Sequence, residues 1–238
     1  MTEMRQLHAY DCARSGGGGG MRMVLTAVAV SSCVSLAPAV SAEPAGTCPP
    51  ACNRIPEAAW IAPTAIPLNS VYSWPKLAGL AVTSRSPRFG FEDLCGTPSN
   101  PADPRRYAVA QRSQVSNPTG EWQLRAQVVH WSGETWRGGQ LAQDVLAAAV
   151  AALKTCQATN PTASASLVID EPDRVAAAIS GPVVLHQYLL ADPVTSTLTE
   201  LSLWSQAPVG TPWPAVTDSA VLDSLAEPLC VAYLGSCP

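Results

Sequence analysis

The chain has 238 residues, of which 47% are hydrophobic and only 13% charged, and its net charge is −4. That length suits one domain of ordinary size. With no basic patch to neutralise phosphates, nucleic acid is excluded as an expected partner, and the apolar content excludes a disordered chain.

In chain order, residues 1–20 carry the glycine run Gly16–Gly20 followed by a methionine, and read as an extension or a mis-assigned start. Residues 21–42 read as a signal peptide. Arg22 supplies positive charge, Met23–Val30 is apolar, and Val40-Ser41-Ala42 offers the small residues that a signal peptidase needs, so cleavage is expected after Ala42. Two other outcomes compete. Val30-Ser31-Ser32-Cys33 fits a bacterial lipidation motif, although the residues beyond Cys33 stay apolar. Met23–Ala42 is also about long enough to cross a bilayer uncleaved. The expected location is extracellular or in the cell envelope, with no stable membrane span once the leader is cut.

Beyond the leader stand Cys48, Cys52, Cys95, Cys156, Cys230 and Cys237. An even set in an exported chain predicts disulfides. Cys48 and Cys52 have a spacing compatible with zinc, but no second cysteine pair or histidine pair accompanies them, so no metal is expected.

Residues 43–105 are rich in proline and poor in periodicity. Prolines at 49, 50, 56, 63, 67 and 75 forbid long helices and central strands, which predicts irregular segments wrapping the domain, with Trp60 and Trp74 as buried anchors. From 106 to 238 the pattern sharpens. Arg106–Ser116 and Glu121–Trp131 read as a hairpin about the turn Asn117-Pro118-Thr119-Gly120, with Trp122, Leu124, Ala126 and Val128 on one face. Gln140–Cys156 reads as the strongest helix, alanine-rich with Leu146, Ala149, Val150 and Leu153 near one side. Ser166–Asp170 is a short strand, and Asp170-Glu171-Pro172-Asp173 a solvated acidic loop without the spacing of a calcium loop. A short helix is expected at Arg174–Ile179. Pro182–Leu190 and Leu198–Gln206 are two further strands. Thr217 or Asp218 then caps a last helix carrying Val221, Leu225 and Leu229, with Pro228 inside it. The order predicts an α+β fold: an antiparallel sheet of about five strands with two main helices packed on one face.

The helix Gly139–Cys156, the strand pair before it and the closing segment Ala226–Cys237 resemble the extracellular sensor domains of PknH-type receptor serine/threonine kinases of mycobacteria and their free-standing secreted relatives. The resemblance covers the chain from about Arg106 onward. It implies a disulfide-stapled α+β domain with a cleft for an unknown ligand, and it implies no enzyme activity. This chain carries no kinase domain. Among pairings, Cys95–Cys156 would tie the irregular segment to the main helix. Cys230 and Cys237 lie ~10 Å apart on an unbroken helix, so they can pair only if the chain turns back near Gly235; otherwise one of them is expected to reach Cys48 or Cys52.

The stretch Val128–Leu141 gathers candidate chemistry. His130 and Glu134 could act as base and orienter in hydrolysis, but Ser132 sits in no nucleophile elbow. No phosphate loop, zinc-protease motif or dinucleotide fingerprint occurs, so no cofactor is expected. The leading expectation is a non-enzymatic binding or sensor-like domain for a small molecule or cell-wall component. Its cleft would be lined by Trp131, Trp136, Tyr188 and Trp204. An exported hydrolase using His130 and Glu134, and an anchored structural protein of the envelope, are the alternatives.

Overall fold

Long antiparallel strands with apolar residues on both faces dominate the chain. The computed structural model describes residues 47–234 and 236; the expected leader, Cys33, the cleavage point after Ala42, Gly235 and Cys237 lie outside them. Seven strands form one sheet: β1 (Val82–Thr83), β2 (Val109–Val115), β3 (Gln123–His130), β4 (Ser164–Asp170), β5 (Arg174–Ser180), β6 (Val183–Asp192) and β7 (Thr197–Gln206). Their order is β1-β2-β3-β7-β6-β5-β4, and every pairing is antiparallel.

The expected count of about five strands is therefore too low by two. β1 is only two residues long and has no periodicity to read. β5 occupies Arg174–Ser180, where a short helix was expected. Its alanines favour helix when read locally. However, Glu171 N–H donates to Arg174 O at 3.0 Å and closes a hairpin turn. Strand pairing on both sides then outweighs propensity, and Val175, Ala177 and Ile179 point to one face.

Among the described residues five α-helices accompany the sheet: α1 (Asn69–Tyr72), α2 (Gly90–Leu94), α3 (Thr135–Lys154), α4 (Cys156–Thr159) and α5 (Asp218–Ala232). The expectation of both main helices on one face is overturned. The side of α3 carrying Ala142, Val145, Leu146, Ala149 and Leu153 packs with Val129, Val175, Ile179, Leu189 and Leu198. The side of α5 carrying Val221, Leu222, Leu225 and Leu229 packs with Leu124, Val128, Ala176, Leu190 and Leu201. Those strand residues differ in parity, so α3 and α5 cover opposite faces. The physical reason lies in β6 and β7, which are buried almost end to end and present apolar side chains both ways.

Helix α3 starts five residues before Gln140, taking in Gly138 and Gly139. A Cβ on Gly139 would stand 2.4 Å from Pro193 O, and one on Gly138 2.6 Å from the Ser196 side chain. The β6–β7 turn thus lies directly against the first turns of α3, and only glycine permits that approach. Helix α5 begins as expected: Thr217 is its cap, its hydroxyl accepting from Ala220 N–H.

The proline-rich residues form short helical turns, and their apolar side chains reach both faces of the sheet. Trp60 and Trp74 are buried beside α5, with Trp74 Nε1 donating to Pro67 O at 2.8 Å. Phe89 and Phe91 join the α3 side. Cys95 and Cys156 are bonded, tying the end of α2 to the start of α4, just past α3. Cys48 and Cys52 are bonded to each other, which leaves neither free to hold zinc or, as the alternative pairing had it, to reach Cys230 or Cys237. Cys230 is also disulfide-bonded. Among the described residues no helix is long and apolar enough to cross a membrane, and no cluster of three or more metal-ligating side chains occurs.

Candidate ligand-binding site

The residues of the Val128–Leu141 stretch are dispersed by their backbone phase. His130 points to the α5 face with Leu124, Ala126 and Val128, and is fully buried. Its Nδ1 lies 2.9 Å from Thr197 Oγ1 and its Nε2 3.0 Å from Cys52 O, while the ring stacks on Tyr233 with centroids 4.6 Å apart. Burial lowers its pKa, against the opposing pull of the Cys52 and Thr195 carbonyls. Both ring nitrogens are committed to holding β3, β7 and the Cys48–Cys52 loop together. Glu134 is exposed at the start of α3, and neither a hydrogen bond nor an ion pair joins it to His130.

The four aromatic residues expected to line a single cleft are not gathered either. Tyr188 is buried on the α5 face, its hydroxyl donating to Asp218 Oδ1 at 2.7 Å; burial first, then Asp218, raises its pKa. Trp204 lies on the α3 face. Trp131 is buried beneath Pro104, to whose carbonyl its Nε1 donates at 3.1 Å, and borders an open hollow with Tyr107, Glu134 and Arg137. Trp136 is 69% exposed.

A second constellation, unread in the sequence, surrounds Trp204. Arg125, Gln127, Gln187, Glu200 and Ser202 share the α3 face at adjacent register positions: Arg125 faces Ser202, Gln127 faces Glu200, and Gln187 faces Ser202. Helix α2 docks on this polar row. Gly90 N–H donates to Glu200 Oε1 at 2.5 Å and Phe91 N–H to Gln187 Oε1 at 3.3 Å. Ser202 Oγ stands 2.8 Å from both Glu200 Oε1 and Gln187 Oε1. The approach is close enough that a Cβ on Gly90 would lie 2.8 Å from Ser202 Oγ. Burial pushes the Glu200 carboxyl above the usual carboxylate range, against the Gly90 N–H, Arg125, Ser202 and Gln187, which favour its charge.

Further bonds hold α2 from the outside. Arg105 reaches Glu92 through Nη1 and Nη2 at 2.9 and 2.8 Å and Asp103 through Nη2 at 2.6 Å. Burial works against the Arg105 charge, but the hydrogen bonds to Glu92 and Asp103 outweigh it and raise its pKa. The C-terminal end is held by the Cys95–Cys156 bond and by Asn160 Nδ2 donating to Leu94 O at 2.7 Å.

Between the docked helix and the sheet lies a cavity of about 220 Å³, lined by Gly90, Asp93, Leu94, Arg125, Val183, Leu185 and Trp204. The Arg125 guanidinium carbon stands 5.6 Å from the Trp204 ring centre, and its side chain is only 14% exposed. Arg125 Nη1 lies 3.6 Å from Asp93 Oδ2, an ion contact too long for a hydrogen bond. Asp93 Oδ1 instead accepts from Arg88 Nε at 3.2 Å. Arg125 Nε and Nη1, both amide atoms of Gln127, and Glu200 Oε2 are buried without a hydrogen-bond partner among the described residues. Leaving a buried polar group unpaired costs about 1–3 kcal/mol, so native structures hold few, and such a concentration marks a special place. The signal available in sequence was Glu200, the one charged residue in Leu198–Leu203. Arg125 and Gln127 alternate with Leu124 and Ala126 and read there as a solvated face.

No protein-family model matches the chain, and no curated protein matches it in sequence.

Proposed function

We propose that this protein is an exported, non-enzymatic binding or sensor-like domain of the cell envelope, and that its ligand sits in the cavity between α2 and the sheet. One observation carries the reading. Apolar walls from Leu94, Val183, Leu185 and Trp204 converge on a single guanidinium, whose Nε and Nη1 are buried without a hydrogen-bond partner among the described residues. Small-molecule sites have this composition, a mostly apolar lining with a few placed polar groups. The disulfides suit an oxidising compartment. At about 220 Å³ the space lies below the range of roughly 300–1,000 Å³ for drug-sized ligands, which favours a small molecule or the end group of a larger one.

The test is amide and indole chemical-shift mapping of the disulfide-intact protein titrated with octanoate and with 1-octanol. Saturable shifts are expected at Leu94, Val183, Leu185 and the Trp204 indole N–H, and Trp204→Ala abolishes them. Shifts confined to the Tyr107–Trp131 hollow, or no saturable shift with either probe, would overturn the seat assigned to the ligand.

A further inference from the structure

Resting on that reading of the cavity, the geometry points to a chemical class of ligand: a monoanionic carboxylate on a short apolar body, selected by Arg125. Arg125 and Asp93 are the charged residues lining the space. Their charges do not simply cancel. Asp93 is shared with Arg88, which holds it through a hydrogen bond, whereas Arg125 meets Asp93 at 3.6 Å without one. Two cations therefore surround one surface carboxylate, and the local balance calls for one more negative charge.

Glu200 lies deeper and does not supply that charge in the cavity. Its Oε1 is occupied by the Gly90 N–H and the Ser202 hydroxyl, it does not line the cavity, and its burial favours the protonated form. The face of Trp204 fixes one side of the guanidinium, so an incoming acceptor approaches along the remaining N–H groups. Carboxylates match a guanidinium with short, charge-assisted hydrogen bonds.

Size and charge narrow the class further. About 220 Å³ equals the volume of about seven liquid waters, enough for a short alkyl chain or one aromatic ring. A phosphate dianion would place a second charge beside Asp93 with no further cation lining the space. Leu94, Val183 and Leu185 offer an apolar tail the contacts it needs and offer polyols no hydrogen bonds.

The experiment compares octanoate with the neutral 1-octanol on the disulfide-intact protein by calorimetry and Trp fluorescence, for wild type, Arg125→Met and Arg125→Lys. Wild type is expected to bind octanoate roughly 10- to 100-fold more tightly than octanol, the range of a hydrogen bond to a charged group. Arg125→Met lowers octanoate to the level of octanol and leaves octanol binding in place, which also reports that the variant is folded. Arg125→Lys retains part of the preference, because it keeps the charge and loses the fork. Equal binding of the two probes by wild type overturns the carboxylate class while the cavity reading stands. Loss of octanol binding together with octanoate in an Arg125→Met protein of native circular dichroism overturns the selective role of Arg125. Binding of neither probe by wild type removes the cavity reading itself.

Discussion

Replacing Cys95 and Cys156 together with alanine tests how the crosslink beside the wall of the site stabilises the protein. The bond spans 61 residues, and it joins the end of α2 to the start of α4, just past α3. Closing a loop of that length restricts the unfolded chain by an amount worth roughly 4 kcal/mol on the chain-entropy account. The native junction is expected to survive the change, because Asn160 Nδ2 still donates to Leu94 O and Thr159 Oγ1 to the residue-95 carbonyl, both at 2.7 Å. The loss therefore falls on stability rather than on the placement of α2. Urea unfolding followed by Trp fluorescence is the assay. With a slope of about 2 kcal/mol/M, the midpoint should fall by about 2 M, and the slope itself should rise as the freed chain exposes more surface. The Cys48→Ala, Cys52→Ala double variant is the internal comparison. Its loop spans only 4 residues, and the same account assigns it about 2 kcal/mol. A loss below about 1 kcal/mol for the Cys95–Cys156 pair, or a larger loss for the short loop than for the long one, would refute the view that this crosslink acts through the unfolded ensemble.

Gly139→Ala should destabilise by about 1–3 kcal/mol in thermal or urea melts, because its Cβ would meet the Pro193 carbonyl at 2.4 Å, a clash that outweighs the gain of about 1 kcal/mol in helix propensity. Gly79→Ala, where a Cβ meets nothing within 4 Å, is the control expected to be near neutral or stabilising. His186 supplies an acid-dependent term. Its ring stacks on Trp213 at 3.6 Å, and burial, only partly offset by Asp218, lowers its pKa from 6.5 to about 4. The unfolded chain thus takes up a proton first. The stability from His186 is complete above about pH 6.5, declines as pH falls toward 4, and levels off below that. His186→Phe should flatten the stability profile across this window, leaving the share due to His130, which is shifted in the same direction. An unchanged slope between pH 4 and 6.5 would contradict the assignment.

The α+β class, the main strands, both long helices and the Thr217 cap were legible because each rests on local spacing: alternation for strands, apolar recurrence for helices, a hydroxyl at a helix start. The link between Cys95 and Cys156 was one of several pairings open in the sequence, because spacing along the chain does not say which cysteines meet, and only the docking of α2 beside the end of α3 selects it. β5 was not, because Arg174–Ser180 has the composition of a helix and becomes a strand only through partners on both sides. The site was less legible than the fold. Of its lining residues only Trp204 was read from sequence as part of a cleft, Asp93 reading as a solvated loop, and Trp131, Trp136 and Tyr188 lie elsewhere.

Local order thus belongs to the order of residues along the chain, since backbone sterics and side-chain spacing act over a few positions. Which side of the sheet each helix covers depends on what every strand presents to both faces at once, and no short window contains that. The same holds for Arg125 and Glu200. Their spacing marks them as a polar face, and only the docking of α2 upon them, permitted by Gly90 and held by the Glu92–Arg105 pair, takes that face out of water. Burial, which gives those charges their meaning, is a property of the assembled layers.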